Sequence, residues 1–134
     1  MKDYQQKRPK EFLLPETVYR QALWAAKDLN RLKSRQMDLI ENTENLGSTD
    51  YSAEISKQKN HSDITGKKAG ELANLAMRIE SIEGALQSIP LKYRRGIAEK
   101  LFEGKTISDE FHMNTWKKWQ QVYIYHVAMN LGLY

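Results

Sequence analysis

The stretch from residue 72 to residue 90, LANLAMRIESIEGALQSIP, decides the fold. Its large aliphatic side chains recur at alternating intervals of three and four residues, which is the spacing of one face of an α-helix. We call these six the seam residues: Leu72, Leu75, Ile79, Ile82, Leu86 and Ile89. Pro90 cannot continue the helix, because it lacks a backbone N–H and its ring clashes with the preceding turn. The pattern predicts a long helix over residues 65–88.

Two interpretations of the seam stand open. It packs either against other helices of its own chain or against a second copy, which would make the protein a homo-oligomer. The seam is shorter than the three or four heptads expected of a free-standing coiled coil. The sequence therefore favours packing within the chain.

A second amphipathic helix is predicted upstream. Pro15 is suited to the first position of a helix, and Glu16 to the positive end of the helix dipole. Spacings of four and three residues then separate the apolar members of one face, Val18, Ala22, Ala25, Leu29 and Leu32. We expect this helix to continue to about Glu41.

Residues 42–65 carry no apolar face, and several Asn, Ser, Thr and Gly residues there favour turns. A loop of this length is unusual inside a compact domain, so we interpret the segment as a flexible linker between two units. The predicted organisation is an N-terminal helical segment at 1–41, a linker at 42–65 and a C-terminal unit at 66–134.

Two shorter helices are predicted after Pro90. One begins at Pro90 and ends at Gly104; the other is capped by Asn114-Thr115, runs from Trp116 to Leu131 and ends at Gly132. The fold is thus predicted to be all-α: an N-terminal helix, a flexible linker, a long heptad-patterned helix and a small helix-turn-helix-like unit.

Composition excludes several classes of protein. The 134 residues include no cysteine, which excludes disulfides, thiolate nucleophiles and cysteine zinc sites. The three histidines, His61, His112 and His126, show no i, i+4 pairing, and the carboxylates beside His112 are more typical of a solvated turn than of a metal site. With no apolar run of membrane-spanning length, no phosphate-binding loop and no recognisable nucleophile, we expect a cytoplasmic protein without enzymatic activity, metal or cofactor.

Charge is distributed unevenly along the chain. The net charge of +4 divides into +5 for residues 1–35, −4 for residues 36–89 and +3 for residues 90–134. Basic segments can bind polyanions, but a charge of this size is also common on an ordinary solvated surface. Of the two basic segments, only the last lies beside residues able to read bases.

The last predicted helix combines aromatic residues with side chains suited to DNA. At 100° per residue, Trp116, Trp119, Tyr123 and Val127 share one face. Polar side chains are predicted to point outward, where Lys can contact phosphate or guanine, Gln and Asn can contact adenine, and Thr can contact a thymine methyl. These candidates are Asn114, Thr115, Lys117, Lys118 and Gln121. An ordinary solvated surface helix would have the same composition.

Three stretches of the sequence resemble a known family. They are IEGALQSIPLKYRRG at residues 82–96, NTWKKW at 114–119 with its continuation to Gly132, and ETVYRQALW at 16–24. They are similar to the RinA-like and ArpU-like late transcriptional regulators of phages and prophages.

The resemblance implies a helix-turn-helix like that of region 4 of sigma factors. Its implied function is binding of promoter double-stranded DNA and activation of late packaging and structural genes, in contact with host RNA polymerase. By position, the last helix would be the recognition helix, and Arg94 and Arg95 would contact phosphate. Only residues 105–113 separate the two helices, so either the first helix of the motif is reduced to Ile107–Phe111 or the motif has lost base reading.

A non-enzymatic phage packaging or assembly protein is the alternative, such as a small terminase-like subunit or an adaptor. It would use the seam residues to form a ring or bundle. A stable assembly of roughly eight or more subunits in light scattering would favour this alternative, and a monomer or dimer the regulator.

Overall fold

A computed structural model describes the backbone of residues 4–46, 51–107 and 111–134, and the side chains of these residues except 43–46 and 51–65. Within these ranges the protein is all-α, with no strand. The α-helices are α1 (Glu16–Lys27), α2 (Leu29–Leu46), α3 (Tyr51–Gly84), α4 (Leu91–Glu103) and α5 (Met113–Asn130). Two short 3₁₀ helices add to them, Lys10–Phe12 and Ala85–Ser88. The predicted fold class is therefore confirmed.

Helix α1 begins at Glu16, one residue after the predicted start at Pro15, which is its N-cap, and it ends earlier than expected. The backbone N–H of Asp28 donates to the carbonyls of Trp24 and Ala25 at 3.0 and 3.2 Å, and α2 begins at the next residue. The single helix predicted to continue to about Glu41 is therefore two helices, α1 and α2. Its buried face is Tyr19, Ala22, Leu23 and Ala26.

The structure corrects the prediction of a linker at 42–65. Residues 42–46 belong to α2 and residues 51–65 belong to α3; residues 47–50 lie outside the described residues. Helix formation needs backbone hydrogen bonds and tolerant side chains, and the Glu, Lys and Gln residues of this stretch are good helix formers. The absence of an apolar face therefore did not exclude a helix.

The chain divides into two compact units, and their boundaries differ from the predicted ones. Unit 1 combines residues up to Asn30 with residues 80–134, and unit 2 is Arg31–Ile79. The N-terminal helix therefore belongs with the C-terminal helices. Within unit 2, Leu32, Leu39 and Leu75 are buried, and Arg35 forms an ion pair with Glu71 at 3.0 Å.

Helix α5 is the central element of unit 1. It packs against α1, α4, the Ala85–Ser88 turn and the Lys10–Phe12 turn. Buried side chains therefore occur all around it: Trp116, Gln120, Gln121, Val122, Tyr123, Ile124, Val127 and Ala128. Each fully buried aliphatic side chain stabilises the folded state by about 1.5–3 kcal/mol, so α5 is the main source of core in this unit.

The seam is divided between the two units. Ile82 and Ile89 are buried in unit 1, Leu75 is buried in unit 2, and the other three seam residues are half-buried. The α-helix ends at Gly84 and continues as the 3₁₀ turn Ala85–Ser88. Ile82 and Ile89 therefore pack within their own chain, in agreement with the favoured interpretation.

Candidate nucleic-acid interface

Accessible side chains lie at both ends of α5: Met129 and Asn130 at its C-terminal end, and several residues between Met113 and Lys118 at its N-terminal end. We call residues 113–118 the first turn of α5. His112 caps the helix: its Nδ1 accepts a hydrogen bond from the backbone N–H of Asn114 at 3.1 Å. The predicted cap at Asn114-Thr115 is therefore wrong, and both residues lie inside the helix. The predicted C-terminal end of α5 is confirmed, since Leu131 is its C-cap residue and Gly132 adopts a φ of +73°.

The connection between α4 and α5 is longer than a helix-turn-helix turn. Helix α4 ends at Gly104, which adopts the left-handed conformation with φ +69°. Nine residues separate Glu103 from Met113, compared with the three or four of a helix-turn-helix. The predicted short turn over Ile107–Phe111 falls partly on residues 108–110, which lie outside the described residues.

An aromatic cluster holds α5 against α4. The Tyr93 ring lies 5.5 Å from that of Trp116 and 5.7 Å from that of Trp119, measured between centroids. Phe111 closes the cluster at 4.8 Å from Tyr93. Such pairs contribute roughly 0.5–1.5 kcal/mol each beyond their buried area. The cluster fixes the first turn of α5 on a rigid base.

Four of the predicted DNA-contacting residues lie on this turn with accessible side chains. Asn114 and Lys118 are exposed, and Thr115 and Lys117 are half-buried. The Lys118 ammonium lies 4.8 Å from the centre of the Trp119 ring, a cation–π contact. The accessible turn therefore offers two cations and two hydrogen-bonding groups side by side.

The prediction that Gln121 points outward is wrong. Its side chain is fully buried and is bound to the N-terminal leader, by which we mean residues 4–14. Its Nε2 donates to Gln5 Oε1 at 3.1 Å and to the carbonyl of Phe12, and its Oε1 accepts from the N–H of Gln6 at 3.2 Å. Gln121 thus holds the leader and has no group left for a base.

The two predicted phosphate contacts differ from each other. Arg94 is half-buried and donates to the carbonyls of Ile89 at 3.0 Å and Gln87 at 3.4 Å, so it stabilises the turn before α4. The Arg95 side chain is 90% exposed and pairs with Glu99 at 3.0 Å. An exposed pair of this kind contributes little to stability, so Arg95 can exchange Glu99 for another anion at small cost.

Sequence reasoning missed a basic cleft beside the first turn of α5. It has a volume of about 740 Å³ and joins the leader to α5. Its lining is Arg8, Pro9, Lys10, Glu11, Asn114 and Lys118. The signal was present in the run Lys7-Arg8-Pro9-Lys10 and in the charge of +5 over residues 1–35, but nothing in the sequence placed this run next to residue 114.

Two titratable groups on α5 are perturbed by the packing. Burial raises the pKa of Tyr123 far above its usual range, and the negative charge of Glu83 adds to the effect. Burial also lowers the pKa of His126 below its usual 6.5. His126 lies against Phe12 of the leader, with the ring centroids 5.9 Å apart.

Among the described residues, no group of three or more His, Asp or Glu side chains could hold a metal ion. The helices that the structure describes include none that is both long and apolar enough to cross a membrane. Comparisons of the chain with protein-family models, curated proteins and solved structures find no match. The resemblance to phage late regulators therefore stays a prediction.

Proposed function

We propose that this protein binds double-stranded DNA and acts as a phage or prophage transcriptional regulator, an activator of late packaging and structural genes in the cytoplasm of a bacterial host. The observation that carries the proposal is the accessible first turn of α5, where Asn114 and Lys118 are exposed and Lys117 is half-buried, next to the buried Trp116. Recognition helices of helix-turn-helix proteins contact bases mainly through their N-terminal residues.

The chemistry of this turn suits a duplex. Lys117 and Lys118 can neutralise phosphates or bind guanine, and Asn114 can bind adenine through its amide. Arg95, exposed on α4, adds a cation that can reach a phosphate. Contact with host RNA polymerase belongs to the same proposal, which rests for that part on the resemblance alone.

A mobility-shift titration tests the proposal with the double variant Lys117→Ala, Lys118→Ala. We expect weaker binding to duplex DNA taken from upstream of the late genes. If about six phosphates are neutralised, wild-type affinity should fall by roughly 10³-fold between about 50 and about 200 mM salt. The double variant should show a shallower salt dependence.

The matched control is Lys67→Ala with Lys68→Ala, which removes the same charge from α3 in unit 2. Equal affinity of the Lys117/Lys118 variant and the wild type would overturn the assignment of the first turn of α5. Absence of any DNA binding by the wild type at low salt would overturn the function itself.

The packing or assembly alternative has no observation of this kind in its favour. It requires the seam residues to be available to other subunits, whereas Ile82 and Ile89 are buried in unit 1 of their own chain.

A further inference from the structure

The N-terminal leader is fastened to α5 by hydrogen bonds at its beginning and near its end. Gln5 folds back on the leader, donating to the carbonyl of Leu14 at 2.8 Å and accepting from its N–H at 2.7 Å. The buried amide of Gln121 then binds Gln5, Gln6 and Phe12. These contacts close the leader into a loop whose base lies on α5.

Ring packing fixes the same loop a second time. Phe12 lies edge-on to Tyr125 with a centroid distance of 5.2 Å. Leu14, at the end of the leader, is 4% exposed. The segment between Gln6 and Phe12 is therefore anchored on both sides, and the backbone that carries Arg8 and Lys10 has a defined position.

Arg8 and Lys10 lie in this anchored segment, and both are exposed. Asn114 and Lys118 of α5 line the same basic cleft. Glu11 is the one acidic side chain in the lining, against three cations. In the part of the chain that the structure describes, none of these three cations forms a salt bridge.

We infer that the basic cleft is a binding site for a phosphate group of a nucleic-acid backbone, held by Arg8 and Lys10 of the leader and by Lys118 of α5. The inference rests on the proposed function and deepens it, since it places a second anchor for the duplex beside the recognition turn. The guanidinium of Arg8 can bind two phosphate oxygens at once. Lys10 and Lys118 add two point charges to the site.

A site built from two distant segments has a functional consequence. Gln121 keeps the leader in place and is a positioning residue, with no contact to the nucleic acid. Phosphate contacts fix the register of a protein on DNA without reading sequence. The cleft would therefore orient the first turn of α5, while Asn114 and Lys117 face the bases.

The test is the double variant Arg8→Ala, Lys10→Ala in the full chain. Both side chains are exposed, so circular dichroism should be unchanged. We expect affinity for duplex DNA to fall by roughly 10- to 100-fold at about 100 mM salt, on any DNA sequence, and the slope of log K against log salt to decrease in magnitude by about 2. Lys67→Ala with Lys68→Ala serves as the charge-matched control.

A variant that loses no more affinity than the control, while Lys117→Ala with Lys118→Ala still weakens binding, would overturn the cleft and leave the proposed function standing. A separate titration with inorganic phosphate, followed by amide NMR shifts, covers the opposite case. Shifts at the amides of Arg8, Lys10 and Glu11 in a protein that does not bind DNA would support the cleft and overturn the function. Absence of both DNA binding and phosphate shifts would overturn both.

Discussion

Gly96 is the residue on which the α4–α5 contact depends. A Cβ placed there would lie 2.4 Å from Cη2 and 2.6 Å from Cζ3 of Trp116, which is closer than two non-bonded carbon atoms approach each other. The indole of Trp116, which is 2% exposed, therefore packs directly on the backbone of α4. Glycine is present at this helical position for the space that it leaves.

We predict that Gly96→Ala destabilises the protein by about 1–3 kcal/mol, the usual cost of overpacking a core. Alanine would otherwise favour a helix by roughly 0.5–1 kcal/mol over glycine. Urea unfolding measures the change. Gly84→Ala is the control: its φ is −62° and no atom lies within 4 Å of an added Cβ, so we expect a small stabilisation there. Unchanged or increased stability of Gly96→Ala would contradict the close contact.

Single residues also show where sequence reasoning reaches its limit. Helical spacing places Trp116 and Tyr123 on one face of the last predicted helix, and both are buried. Glutamine is usually a surface residue, and the burial of Gln121 depends on a hydrogen bond to Gln5, which is 116 residues away in the sequence. Local spacing contains no information about such a partner.

At the scale of elements, the hydroxyl of Tyr123 ties α5 to the end of α3. It donates to the carbonyl of Ile82 at 2.8 Å in a buried site. The last carbonyls of a helix have no partner within the helix, and α3 ends two residues later at Gly84. Tyr123 supplies a donor to this carbonyl from a different helix.

We expect Tyr123→Phe to lower the free energy of unfolding by about 1–3 kcal/mol, because the buried carbonyl loses this donor while the ring is kept. Chemical denaturation measures the loss. Tyr125→Phe, which removes a hydroxyl from a half-buried ring of the same helix, should change stability far less. Equal effects of the two substitutions would contradict the role of the bond.

Helix boundaries were predictable where a residue enforces them by its own chemistry. Pro15 and Pro90 precede helices, and Gly104 and Gly132 adopt the positive φ that ends them. The break at Asp28 and the helical character of residues 51–65 were missed, because neither has a proline, a glycine or an apolar face to mark it. The same holds for the candidate site. The polar residues of the first turn of α5 could be predicted from local spacing, but the position of the leader beside them could not, because the two segments are distant in sequence.

At the scale of the whole molecule, unit 1 combines residues up to Asn30 with residues 80–134. Its stability depends on the protonation state of His126. Burial lowers the pKa of His126 below 6.5, so the folded state favours the neutral imidazole. The unfolded chain then binds more protons between the folded pKa and about 6.5. The contribution of neutral His126 to stability is fully present above about pH 6.5 and is lost as the pH falls through the pKa of the folded state.

We predict that the urea midpoint of the wild type decreases between about pH 7.5 and about pH 5, and that His126→Asn removes a part of this decrease. Full titrations of both proteins at several pH values measure it. Identical pH dependence of the two would show that His126 ionises alike in the folded and unfolded chains.

The docking of α1 and the leader on α5 also has a consequence for biosynthesis. Helix α1 leaves the ribosome almost a hundred residues before the helix it packs against, since α1 begins at Glu16 and α5 at Met113. At about 5–20 residues per second, this partner emerges roughly 5–20 s afterwards. During that interval Tyr19 and Leu23 of the nascent chain are not covered by α5, and the basic leader takes its place beside α5 only after α5 has been synthesised.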